Sequence, residues 1–211
     1  MVIKYPIFLD LEKQRAIVVG GGQVAYQKTQ GLLEAGAHIV VVTRQIIPEL
    51  ASLCRAQGSE IVLSDYAREY LGRARVVIAC TNDRSVNETV YRDCQEAGIL
   101  CNVVDTPDLC DFYVPAVVRR NPLQIAIGTD GSSPAFAKKV RKHLEGQFTE
   151  EHSAFLRTLR SLRPEVLSAI VDLGQREALL SEFADDESFG YFVEHGAAAW
   201  QERCRARIPT D

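Results

Sequence analysis

Asp105 lies in the run Cys101-Asn102-Val103-Val104-Asp105-Thr106-Pro107, and a glycine turn lies at Gly20-x-Gly22-x-x-Ala25. A carboxylate directly after an apolar run can take a proton from a substrate during oxidation, or help place a divalent metal. Its structural alternative is an Asx-type hydrogen bond closing the Asp105-Thr106-Pro107 turn. The glycine turn has the spacing of a dinucleotide fingerprint. Gly20 permits the tight turn, Gly22 lets the backbone approach a pyrophosphate, and Ala25 keeps the next helix close to the strand. Gly21 sits between them, and Gln23 and Val24 open the helix whose free N–H groups would face the phosphates. A third group is cationic. Lys138, Lys139, Arg141, Lys142 and His143 follow the loop 128–133, with Arg119 and Arg120 upstream. That loop, with Ser132 and Ser133, runs into a helix start and could cradle a multiply anionic substrate. The plainer alternative is a solvated charged face.

The elements that must position these groups follow from periodicity. Residues 16–19 are a short apolar strand, and a helix from about Val24 to Ala35 ends at Gly36. Residues 38–42 (His-Ile-Val-Val-Val) are β-branched after the histidine, as expected of a parallel strand buried on both faces. Further strand-like runs fall at Glu60–Leu63, Arg75–Ala79 and Ile99–Val104, with a helix from Val86 to Ala97 stopped by Gly98. Strands alternating with helices predict a Rossmann-type parallel sheet, with ligands beyond the carboxyl ends of its strands. Arg44, Gln45, Thr81, Asn102 and Val103 therefore fall on the ligand edge. No acidic residue ends the second strand, where NAD ribose is usually gripped. Arg44 there could accept a 2′-phosphate, stack on adenine or stay solvated.

From Val114 to Phe148 the pattern changes to two short strands around an Asn121-Pro122 turn. A helix then opens at Pro134 with Ser133 as its N-cap. Phe136, Val140, Leu144 and Phe148 make its apolar face. Residues 149–211 read as helices broken at Pro164, Gly174 and Gly190. The expected organisation is a Rossmann domain over 1–113, a small α+β dimerisation and substrate-cleft section over 114–148, and a helical section over 149–211.

Composition sets outer limits. The chain has 211 residues, 46% hydrophobic and 25% charged, with a net charge of −4. The acidic excess lies after residue 148, which disfavours nucleic acid and anionic membranes as partners. No apolar run approaches the ~20 residues that span a bilayer, and the first residues lack the apolar core of a signal peptide. A cytoplasmic protein is expected. The six cysteines show no C-x-x-C pair or zinc-like spacing and are expected as reduced, mostly buried thiols. Any metal site is left unassigned.

The chain resembles the siroheme synthase N-terminal family, which comprises precorrin-2 dehydrogenases, some also sirohydrochlorin ferrochelatases. The resemblance rests on Tyr5-Pro6-Ile7-Phe8-Leu9, on the Val19–Ala25 turn with Lys28, and on Leu32–Ala37. It continues through Ala79–Asp83, Val86-Asn87, Asn102–Pro107, Phe112–Ala116 and Gly131–Pro134. It implies NAD-dependent oxidation of precorrin-2, a macrocycle with eight carboxylates, to sirohydrochlorin on the way to siroheme or cobalamin. Asp105 matches the family's essential aspartate. Gln23, Val24, Arg44 and Gln45 fall on its cofactor positions, joined by Thr81, Asn102 and Val103. The resemblance further implies a homodimer with Arg119, Arg120 and the basic helix near a shared cleft, and uroporphyrinogen methylation by a separate methyltransferase. In bifunctional members Fe2+ is inserted afterwards, an activity this sequence leaves open. Two other classes share the fingerprint. An NAD-sensing regulatory module of an ion transporter would need neither a basic pocket nor Asp105, and a dehydrogenase of another small acid would need a His or Lys acid/base. The stretches 102–107 and 131–134 speak against both.

Overall fold

A computed structural model describes residues 4–209. It divides into two compact units, residues 1–114 and 115–211. In the first, β1 (Arg15–Val19), β2 (His38–Thr43), β3 (Glu60–Leu63), β4 (Val76–Ala79) and β5 (Leu100–Val103) form one parallel sheet in the order β3-β2-β1-β4-β5. The order reverses beside β1, which is the switch point where such sheets bind nucleotides.

Alternation along the strands splits the core into two layers, because successive side chains point to opposite faces. Ile17, Val19, Val40, Val42, Val77 and Cys101 meet Val90 and Cys94 of α3 (Arg84–Ala97). Ala16, Val18, Ile39, Val41, Val76 and Ile78 meet Ala25 and Leu32 of α1 (Gln23–Glu34) and Leu50 and Cys54 of α2 (Pro48–Ala56). Helices thus cover both faces, as a fully parallel sheet demands. The helix stops fall where expected, with Gly36 at φ 76° and Gly98 in the left-handed region after α3. The six cysteines are all free thiols, four of them buried.

The second unit begins with an antiparallel hairpin, β6 (Ala116–Arg120) and β7 (Leu123–Ile127), joined through Asn121-Pro122. Helix α4 (Pro134–Gln147) follows, its Ser133 Oγ accepting from Phe136 N–H at 3.1 Å. The expected apolar face is only partly used. Ala137 is buried, Val140 and Leu144 are half-buried, and Phe136 is 59% exposed. A hairpin of two five-residue strands, ~17 Å long, cannot cover a fourteen-residue helix of ~21 Å.

Three helices complete this unit: α5 (Glu150–Ala169), α6 (Leu173–Phe183) and α7 (Asp186–Arg205). Their core gathers Phe155, Leu162, Val166, Phe183 and Phe192 around Trp200, whose indole N–H donates to Ser188 Oγ at 2.8 Å. The expected breaks are corrected. Pro164 lies inside α5 on its exposed side, so the carbonyl it deprives of a donor can turn to water while Leu162 and Val166 stay fully buried. Gly174 and Gly190 lie inside α6 and α7, and α7 is kinked instead at Gly196. The actual starts are set by Asp172 and Asp185, whose carboxylates accept from Gln175 N–H and Ser188 N–H at 2.9 and 2.8 Å. Among the described residues no helix is long and apolar enough to cross a membrane.

Leu162→Ala should destabilise the second unit by about 2–5 kcal/mol through the cavity it leaves. Urea unfolding followed by fluorescence of Trp200, the chain's one tryptophan, reads the change directly.

Candidate cofactor and catalytic site

The glycine turn joins β1 to α1, and its glycines have different reasons. Gly20 has φ 132°, and a Cβ there would lie 2.8 Å from the Cys80 carbonyl oxygen of the neighbouring strand. A Cβ on Gly21 would come within 2.0 Å of the Gln45 carbonyl oxygen and 2.7 Å of Thr43 Oγ1. Both are demanded by the protein's own packing. Gly22 is exposed, has an ordinary φ of −93°, and a Cβ there would meet nothing within 4 Å. The space above it is open. The first helical bond of α1 runs from Tyr26 N–H to Gly22 O, so the N–H groups of Gln23, Val24 and Ala25 precede the helical ladder, with no side chain capping them. Free donors, a positive helix end and an open approach fit a pyrophosphate.

Beyond β2, Thr43 Oγ1 donates to Gln45 O at 2.8 Å and fixes the turn that carries Arg44 and Gln45. Both side chains are exposed, and Arg44 pairs with Asp65 at 3.5 Å. Beyond β4, Thr81 is held by Asn87, a residue with no role assigned from its motif. Asn87 Oδ1 accepts from Thr81 N–H at 3.2 Å and its amide donates to Thr81 O at 3.0 Å. An asparagine on the stripe Asn87, Val90 and Cys94 of α3 was the available signal, since a polar group on a buried face needs a partner. Asp83 caps α3, and hydrogen bonds from Ser85 and the Ser85 and Val86 N–H groups hold its carboxyl below the usual range. Its contribution to the helix start persists above pH ~4 and is lost as the pH falls through that lowered value. Cys80 is pushed up to about 12 by burial, so it is a neutral thiol at physiological pH.

β5 is an edge strand, and the chain covers that edge itself. Residues 110–112 return beside β5 in an antiparallel bridge between Asn102 and Cys110. Asp111 N–H donates to Cys101 O at 2.8 Å, and Asp111 Oδ2 accepts from Cys101 N–H at 2.8 Å. Asn102 is buried and its amide donates to Phe112 O at 2.9 Å. Val103 is 1% exposed and its side chain belongs to the core, so it can offer a ligand only its backbone. Asn102 and Val103 thus hold the loop that presents Asp105.

Asp105 comes one residue after Val104, whose N–H still donates to Ala79 O at 2.9 Å in the sheet ladder. It takes φ 59°, a left-handed conformation that costs an ordinary side chain ~1–2 kcal/mol and that aspartate tolerates better than most. Thr106 N–H to Val103 O at 3.2 Å, and Cys110 Sγ–H towards Val103 O and Thr106 O at 3.2 and 3.3 Å, fix the backbone around it. The carboxylate is exposed, and the Asx-type bond does not form. Among the described residues it has no hydrogen-bond or ion-pair partner. Asp105 is thus a left-handed residue held from both sides, with an uncommitted acid at the carboxyl end of the sheet, and backbone strain of this kind clusters at functional sites.

The cationic candidates lie in the second unit. Arg120 is corrected from a free cation to a framework residue. Its guanidinium donates to Glu145 O and Arg119 O at 3.2 and 2.9 Å and faces the Glu150 carboxylate at 3.5 Å. Arg141 is paired with Glu145. Arg119 and Lys138 are exposed, as is Ser132, while the Ser133 hydroxyl serves as the α4 cap. Among the described residues no group of three His, Cys, Asp or Glu could hold a metal ion.

Two family models match the chain: one described as "Putative NAD(P)-binding" over residues 7–116, and one described as "Sirohaem biosynthesis protein central" over residues 120–147. A siroheme synthase of Psychrobacter sp. (strain PRwf-1) is 37% identical over 174 residues, covering 82% of this chain and 36% of the relative. Siroheme synthase 3 of Aeromonas hydrophila subsp. hydrophila is 33% identical over 194 residues, covering 92% and 42%. The chain therefore spans well under half the length of these curated relatives. Among solved structures, SirC, a precorrin-2 dehydrogenase, superposes with a TM-score of 0.78 at 26% identity, covering 96% of this chain and all of that one.

Two alanine variants separate packing from ligand binding. Gly21→Ala should cost about 1–3 kcal/mol of stability through overpacking. Gly22→Ala should cost no more than about 1 kcal/mol yet weaken dinucleotide binding tenfold or more. Thermal unfolding and calorimetric titration with NAD+ measure the two effects side by side.

Proposed function

The chain belongs to the siroheme synthase N-terminal family, and on that premise we propose that it is an NAD-dependent precorrin-2 dehydrogenase yielding sirohydrochlorin. The carrying observation is Asp105, exposed and uncommitted at the same sheet edge as the glycine turn. Going from precorrin-2 to sirohydrochlorin removes one hydride and one proton from the macrocycle. Bound NAD+ supplies the hydride acceptor. Asp105 receives the proton on a carboxylate oxygen, and the paired loop around it holds the backbone from which that side chain projects. Gly20, Gly21 and Gly22 leave room for the pyrophosphate, with the N–H groups of Gln23 and Val24 donating to it. Arg44, Gln45 and Thr81 border the same edge. Of the cationic candidates, Arg119 and Lys138 with Ser132 would meet the carboxylates of the substrate, while Arg120 and the Ser133 cap hold the second unit together.

The same premise supports a homodimer, in which a second copy would cover apolar groups such as Phe136 and Val193, 59% and 46% exposed in the single chain. The methylated substrate would come from a separate uroporphyrinogen methyltransferase. Sedimentation should give twice the 23.4 kDa chain mass; a monomer at micromolar concentration would remove the dimer from the proposal.

Asp105→Asn keeps the side chain's size and its tolerance of the left-handed backbone while removing the proton acceptor. It should lower kcat for precorrin-2 oxidation by about a hundredfold or more and leave the dissociation constant for NAD+ within about twofold. Sirohydrochlorin absorbance and calorimetry measure these quantities. Undiminished turnover would disprove the assignment of Asp105.

A further inference from the structure

The second strand ends in Thr43-Arg44-Gln45, without the acid that commonly selects NAD. The next strand supplies one. β2 and β3 are parallel neighbours, and their register runs Val42 with Val62 and Thr43 with Leu63. Both strands end there, and Asp65 follows β3 by two residues just as Gln45 follows β2, at the carboxyl edge of the sheet. The side chains confirm the approach, since Arg44 Nε lies 3.5 Å from Asp65 Oδ1. Both are open to solvent, with 71% and 85% of their side-chain surfaces exposed. Arg44 also helps to keep the Asp83 carboxyl ionised from the β4 side. Arg44, a cation that could greet a 2′-phosphate, is thus already engaged by Asp65.

We propose that Asp65, placed at the end of β3, is the residue that makes this chain select NAD+ over NADP+. This rests on the dinucleotide-binding role proposed for the glycine turn. The physical ground is a difference between two ligands. A 2′-hydroxyl is neutral and can donate to a carboxylate, whereas a 2′-phosphate brings negative charge beside Asp65. It must also draw Arg44 away from its existing partner. Arginine's planar fork can bind phosphate strongly when free, so removing Asp65 releases a phosphate-competent group and deletes a repulsive one.

Calorimetric titration of the full chain with NAD+ and with NADP+ tests this at low ionic strength, where exposed charges are least screened. Wild type should bind NAD+ more tightly. In Asp65→Ala, and in the near-isosteric Asp65→Asn, the ratio of the NADP+ to the NAD+ dissociation constant should fall about tenfold. Adding Arg44→Ala to Asp65→Ala should reverse most of that fall. A ratio that stays within threefold of wild type in both single variants, or a wild type that prefers NADP+, overturns the proposal while leaving the glycine turn a nucleotide site. If wild type binds neither nucleotide, the dinucleotide role itself fails and this proposal goes with it.

Discussion

Backbone meets backbone around Gly20 and Gly21 more closely than any side chain allows, and the cofactor edge depends on that approach. A Cβ at either position would intrude on the Cys80 carbonyl or on the Gln45 carbonyl and the Thr43 side chain. Because the turn lies this close, Gly20 N–H can donate to Val42 O, and Ile47 N–H can donate to Gly21 O, each at 2.9 Å. Those bonds tie the carboxyl end of β1 to the turn that leaves β2. The start of α1 is thereby aimed across the sheet edge, and Gly22 is left facing open space. The three consecutive glycines are not alike: the first two are required by the fold, and the third is not.

The far side of the edge is secured differently. β5 has no strand beyond it, and an open edge would leave its donors unpaired or available to another chain. Asp111 and the returning segment close it with one side-chain and one backbone bond. The loop between Val104 and Leu109 is therefore anchored at both ends, and Asp105 at its crest can hold a left-handed conformation. An acid on a mobile loop would spend much of its time out of range of a bound macrocycle. Here the backbone that carries Asp105 is held by bonds on both sides of it.

Charge in the second unit is distributed with the same economy. Arg120 fastens the hairpin to α4 through Glu145 O and to the start of α5 through Glu150, while Arg141 pairs with Glu145 within α4. Lys138 and Arg119 remain exposed. A dense basic sequence thus resolves into cations bonded within the frame of the unit and cations on its surface. The helices beyond are held by an aromatic core in which Phe155, Phe183 and Phe192 approach Trp200 edge-on. Such contacts are worth ~0.5–1.5 kcal/mol each beyond their burial.

What could be seen in the residues was what neighbours in sequence decide. The β-branched run 38–42, the stop at Gly98 and the Ser133-Pro134 start are local patterns, and the parallel sheet and its ligand edge follow from them. Asp105 was visible because it ends such a run, although its strain and its lack of a partner were not. Pro164, Gly174 and Gly190 misled, because buried contacts of Leu162 and Val166 in α5, Phe183 in α6, and Phe192 and Trp200 in α7 outweigh the local cost of a proline and two glycines. Tertiary structure alone decided that Arg120 is bound to groups 25 and 30 residues away, that Asn102 ties a loop, and that Asp65 meets Arg44. Each of these is a pairing between segments whose approach is set by the packing of the whole unit, and distance in space is not written in the order of the chain.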